Sequence, residues 1–100
     1  MSSYKDFADQ NIRLIILRAL APETDYSLNG DMVLANLERF GHFKSLDYLR
    51  AQLSWLQDEA GAVRVLEQGS TVVATLTRRG QDHVERRTVI PGIQRPSPEG

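Results

Sequence analysis

The chain is 100 residues long with a net charge of −1 and no cysteine. That length suits one domain burying roughly two-thirds of its unfolded surface, so a single core is feasible without disulfide or metal staples. The absence of cysteine excludes thiolate metal ligands and thiol nucleophiles and fits a reducing, cytoplasmic setting. Met1 to Gln10 lacks the basic start and apolar run of a signal peptide, and Leu14 to Leu17 is far too short to span a bilayer, so no membrane role is expected. Residues 1–76 hold ten acids and seven bases, whereas 77–100 hold three acids and five bases. The basic excess therefore sits at the C-terminal end, and it is weaker than a dedicated nucleic-acid binder usually carries.

Asp9 to Leu20 reads as the first helix. Ile12, Ile15, Ile16, Ala19 and Leu20 share one face at about 100° per residue. Leu14 and Leu17 fall on the other side, one heptad beyond Phe7 in the case of Leu14. A helix apolar on two faces is covered on both, here by the C-terminal segment of the same chain or by a second copy. Ala21-Pro22 ends the helix, and Glu23 to Asn29 reads as a polar loop. Asn29 or Asp31 can cap a second helix through Met32, Val33, Leu34, Leu37 and Phe40, stopped at Gly41.

His42-Phe43-Lys44 forms a short turn, and Ser45 caps a third helix with Leu46, Leu49, Leu53 and Leu56 as its buried stripe. Gly61 stops it. The outward positions are then Asp47, Tyr48, Ala51, Ser54, Trp55 and Asp58, with Arg50 on the flank. Two helices joined this way make a helix-turn-helix with the third helix in the reading position. Val63 to Leu76 alternates as two strands around Gln68-Gly69-Ser70. Thr77 opens a fourth helix through Arg87, and the proline-containing tail keeps Val89, Ile90 and Ile93 as apolar docking residues.

The order is that of a winged helix-turn-helix: an α+β, mostly helical domain over 1–88, with three helices, a two-stranded hairpin wing and a fourth helix, followed by an extended tail over 89–100. On the DNA-binding reading, Lys44, Ser45, Tyr48 and Arg50 enter the major groove of double-stranded DNA while Arg64, Gln68 and Ser70 approach the backbone. The competing reading is a protein-interaction module that grips another protein, or a second copy in a homodimer. Its contacts are drawn from Tyr48, Phe7, Leu14, Leu17, Trp55, Ile90 and Ile93. Fold alone does not choose between these. An enzyme is not expected: His42 and His83 stand apart, and neither metal-ligand spacing, a phosphate loop nor a nucleophile elbow is present, so no cofactor is assigned.

The phrases Ile12-Arg13-Leu14-Ile15-Ile16-Leu17-Arg18-Ala19-Leu20, Leu53-Ser54-Trp55-Leu56, Val73-Ala74-Thr75-Leu76-Thr77-Arg78-Arg79-Gly80 and Val89-Ile90-Pro91-Gly92-Ile93-Gln94-Arg95-Pro96 resemble the short ArsR-like winged-helix proteins of Mu-like phages and prophages. The resemblance spans most of the chain. It implies a winged helix and a phage context, and it brings no established activity. Metal-sensing ArsR repressors use cysteine thiolates, which this chain lacks, so metal response is not carried over.

Overall fold

A computed structural model describes residues 3–98, in the order α1 (Tyr4–Leu20), β1 (Ser27–Asn29), α2 (Gly30–Arg39), α3 (Leu46–Asp58), β2 (Val63–Gln68), β3 (Thr71–Leu76) and α4 (Arg78–Val84). Met1, Ser2, Glu99 and Gly100, the outer ends of the expected domain and tail, lie outside the described residues. This is a winged-helix domain: helix-turn-helix α2–α3, then the β2–β3 wing. Among the described residues no helix is long and apolar enough to cross a membrane.

The first helix starts five residues earlier than its apolar periodicity indicates. Ser3 and Asp6 form a reciprocal capping box, which satisfies backbone amides at the polar end of the helix. Asn29, Ser45 and Thr77 cap the later helices through the same side-chain-to-backbone hydrogen bond. The segment expected as a loop before α2 contains a third strand. Ser27, Leu28 and Asn29 pair antiparallel with Thr75, Ala74 and Val73, giving the sheet order β1-β3-β2. The Ser27 and Thr75 hydroxyls meet at 2.6 Å across that ladder.

The wing is tighter than a three-residue loop allows. Gln68 pairs with Thr71, leaving Gly69 and Ser70 as a two-residue turn with Gly69 at φ +61. The fourth helix is shorter than expected, ending at Val84. Arg86 adopts φ +64, its N–H donates to His83 O and the Arg87 N–H donates to Asp82 O, a Schellman ending built on arginine in place of glycine. Gly80 brings α4 onto the α3–β2 junction: a Cβ there would stand 2.3 Å from Ala62 O.

One core joins all layers. Ile12, Ile16, Leu17 and Leu20 of α1 meet Val33, Leu37, Leu49, Leu53 and Leu56 of the helix-turn-helix, Val63, Val72, Ala74 and Leu76 of the sheet, and Ile90 and Ile93 of the tail. The tail is thus part of the same packing unit and not an appendage. It runs back along α1, with Gln94 N–H donating to Gln10 O and Asn11 Nδ2 donating to the Gln94 side chain. His83, fully buried, fastens it from α4: Nδ1 accepts from Ile90 N–H, so Nε2 carries the proton donated to Gln94 O.

Candidate nucleic-acid interface

Three segments converge on one exposed edge of the domain. The N-terminal ends of α2 and α3 and the turn of the wing enclose a shallow cleft of about 190 Å³ lined by Asn29, Asp31, Leu46, Ser70 and Thr71 among others. Lys44 and Ser45 enter α3 at this edge. The Ser45 hydroxyl accepts from Tyr48 N–H at 3.0 Å, so its role is to cap. Lys44 is exposed, its Nζ 4.8 Å from the centroid of the Tyr48 ring.

Arg50 is the cation of α3, and it joins the helix to the wing. Its Nη2 donates to Ser70 O at 3.2 Å, and its Nε lies 3.1 Å from the Glu67 carboxylate. The Nε is buried and out of hydrogen-bond alignment with that oxygen, so the contact is an ion pair without a directed bond. Gln68 and Ser70 are exposed at the wing tip, as expected. Arg64 is exposed but belongs elsewhere. It pairs with Thr75 while Gln68 pairs with Thr71, and four residues of strand separate it from the tip by about 13 Å. Asn29, Asp31 and Thr71 are the members of this edge that sequence reasoning missed. The sequence offers Asn29 or Asp31 as the cap of the second helix, but nothing local to them points to the wing turn they meet.

Tyr48 and Trp55 do not project outward as a helical wheel places them. The Tyr48 hydroxyl donates to the Asp9 carboxylate on α1. Burial raises the Asp9 pKa, but the hydrogen bonds from Tyr48 and Lys5 and the charges of Lys5 and Arg13 outweigh it and hold the carboxyl below its ordinary value. Burial and the same carboxylate push the Tyr48 phenol well above its ordinary value. Between the two aromatics, Gln52 accepts from Arg13 Nε at 2.7 Å. The Arg13 guanidinium covers the Trp55 ring, and the backbone of Gly92 packs against that ring from the tail. The Tyr48–Gln52–Trp55 stripe is therefore spent on holding α1 and the tail.

The remaining contact candidates divide in the same way. Leu17, Ile90 and Ile93 lie in the chain's own core and have no surface to offer a partner. Leu17 shares a stripe of α1 with Gln10 and Arg13, which bind the tail, so the intramolecular cover is the one realised. Leu14 is buried, at 5% exposure, and belongs to the core while flooring a groove open to solvent; Phe7 is exposed.

No family model matches the chain. It is 36% identical over 93 residues to the uncharacterized protein gp26 of Escherichia phage Mu, covering 93% of this chain and 95% of that protein. The chain belongs to the gp26 family. An uncharacterized protein of Haemophilus influenzae is 32% identical over 77 residues, covering 77% of this chain and 74% of its own length. The connection to phage Mu indicated by the sequence phrases is thus a property of nearly the whole chain. Among solved structures, the hsRosR-S4 complex is similar in fold, with a TM-score of 0.63 at 23% identity over 82% of this chain and 73% of that one.

Proposed function

We propose that this gp26-family protein is a phage or prophage regulator that binds double-stranded DNA in the cytoplasm through its helix-turn-helix and wing, without catalysis or cofactor. The observation that carries this reading is the convergence of α3's N-terminal end and the wing turn on one exposed edge, bridged by Arg50. In such domains the start of the reading helix enters the major groove while neighbouring elements meet phosphate. Lys44, Arg50, Gln68 and Ser70 are the residues assigned to DNA, with Asn29 and Thr71 added to the backbone-facing set. Ser45 and Tyr48 act indirectly by fixing the helix. The ArsR-like arrangement is retained here only as a shape, without its thiolate chemistry. The rival reading, capture of a phage or host protein by Tyr48, Trp55 and the tail, is weakened because those groups already satisfy one another.

Acidic groups at the same edge, Asp31, Asp47 and Glu67, limit the electrostatic gain, so binding should be modest and salt-sensitive. The test is fluorescence anisotropy with duplexes from the gene's own upstream region and an unrelated duplex, at low and near-physiological salt. Preference for the upstream duplex, lost in Lys44→Ala/Arg50→Ala, is the expected result. Absence of binding to either duplex at low salt overturns the reading.

A further inference from the structure

The two histidines, remote in sequence, are the ends of one polar line. His42 follows α2, and its N–H donates to Leu37 O, closing that helix three residues before Ser45 caps α3. Its Nε2 lies 3.0 Å from Asn11 Oδ1 on α1. Asn11 Nδ2 donates in turn to Gln94 Oε1 at 2.6 Å, and Gln94 O accepts from His83 Nε2. With the Asn11 amide nitrogen committed to Gln94, its oxygen accepts from His42, which therefore carries its proton on Nε2. Asn11 thus has a partner on each side: the turn that leads into α3, and the tail.

We propose that Gln94, Asn11 and His42 are positioning residues through which the docked tail fixes where α3 begins. The bearing of this line on DNA rests on the reading above; the coupling of tail to turn does not. Gly41, Phe43 and Lys44 stand exposed in that turn, and His42 is the residue that turns inward to α1. The tail also grips α1 on both flanks of the core-facing Ile12. On one flank Gly92 O accepts from Arg13, whose Nε reaches Gln52 midway along α3. On the other, Gln94 takes Asn11, which reaches the turn. Two fixed points set the direction of a helix. Here they are the middle of α3 and the approach to it, and both depend on tail residues 92–94. The coupling is carried by contiguous hydrogen bonds, each with a named donor and acceptor.

Amide hydrogen exchange of the full chain without DNA tests the coupling. Gln94→Leu removes the side-chain acceptor but leaves the backbone bonds of residue 94 to Gln10 and His83, so the tail stays docked and Trp55 emission is unchanged. The His42 and Tyr48 amides, which close α2 and are capped by Ser45, should exchange about fivefold faster, the factor one neutral hydrogen bond supplies. Gln94→Glu keeps an acceptor for Asn11 and should restore wild-type exchange. In a His42→Ala background, Gln94→Leu should have no further effect at Tyr48. Unchanged exchange in the turn overturns the proposal, as does equal acceleration at core amides such as that of Leu53, which marks general destabilisation. Coupling is reciprocal, so duplex from the gene's upstream region should slow exchange of the Gln94 amide in wild type and not in His42→Ala. A bound duplex that leaves the Gln94 amide of wild type unaffected overturns the link to DNA. A wild type that binds no duplex overturns the DNA-binding reading instead, and exchange in the free protein still decides the coupling.

Discussion

Arg13 and Trp55 are stacked, the guanidinium carbon 3.9 Å from the indole centroid, and the same Arg13 donates through Nη1 to Gly92 O at 2.9 Å. One side chain of α1 thereby ties α3 to the tail. Its charge is not wasted on solvent, because the ring face attracts the cation and Gln52 and Gly92 accept its protons. This clamp turns a proline-containing segment into a fixed part of the domain. It also explains why Trp55 on α3 faces inward, as the bond to Asp9 does for Tyr48.

Gly92 should be the most sensitive position of the tail. Its φ is +92, and a Cβ would stand 2.5 Å from Trp55 Cη2. Gly92→Ala therefore combines backbone strain with a clash against a rigid ring, costing about 2 kcal/mol. For a domain of this size that lowers the melting temperature by roughly 10 °C. Trp55 is the chain's single tryptophan, so its fluorescence reads tail docking directly. A red-shifted emission in the folded variant is expected; unchanged emission and melting would show that the tail does not depend on this contact.

The link between Asp9 and Tyr48 sets a pH dependence. The Asp9 pKa is lowered on folding from an ordinary value of 3.8, so its contribution is present above about pH 4 and is lost as pH falls through the lowered folded value. The Tyr48 phenol is raised from 10.0, so its contribution holds below about pH 10 and declines as pH rises beyond it. Tyr48→Phe should cost about 1.5 to 3 kcal/mol at neutral pH, the range for a hydrogen bond to a charged group. Urea midpoints from pH 2 to 7 should slope less at the acid end for Asp9→Asn than for wild type. Parallel curves would remove Asp9 from the acid transition.

The helices, their caps at Asn29, Ser45 and Thr77, and the hairpin were legible because each rests on residues adjacent in sequence. The strand Ser27–Asn29 was not, since three polar-flanked residues carry no period and their partners lie more than forty positions away at Val73 to Thr75. The same distance effect misplaced Tyr48 and Trp55. A helical wheel treats α3 as an isolated cylinder, whereas Asp9, Arg13 and Gly92 approach it from remote parts of the chain. The Schellman ending at Arg86 was hidden because its left-handed residue is not glycine. At the candidate interface, α3's N-terminal end was foreseeable, but the ion pair between Arg50 and Glu67 depends on the wing folding back to the helix.

That ion pair makes a prediction about binding strength. In the free protein Arg50 is balanced by Glu67 and held by Ser70 O, with Nε buried yet lacking a directed acceptor. A phosphate offers Arg50 the same charge with better-aligned oxygens, so on the proposed DNA-binding reading the duplex must displace Glu67 to recruit it. Glu67 is then a competitor rather than a support. Glu67→Gln should tighten binding about tenfold at low salt and make the salt dependence steeper by about one phosphate contact. The gain should largely vanish in an Arg50→Ala background if it comes from releasing Arg50, and persist there if Glu67 merely repels DNA. Anisotropy titrations of wild type, both single variants and the double variant close this cycle. Weaker binding by Glu67→Gln would reverse the assignment, making Glu67 the residue that orients Arg50 toward the groove.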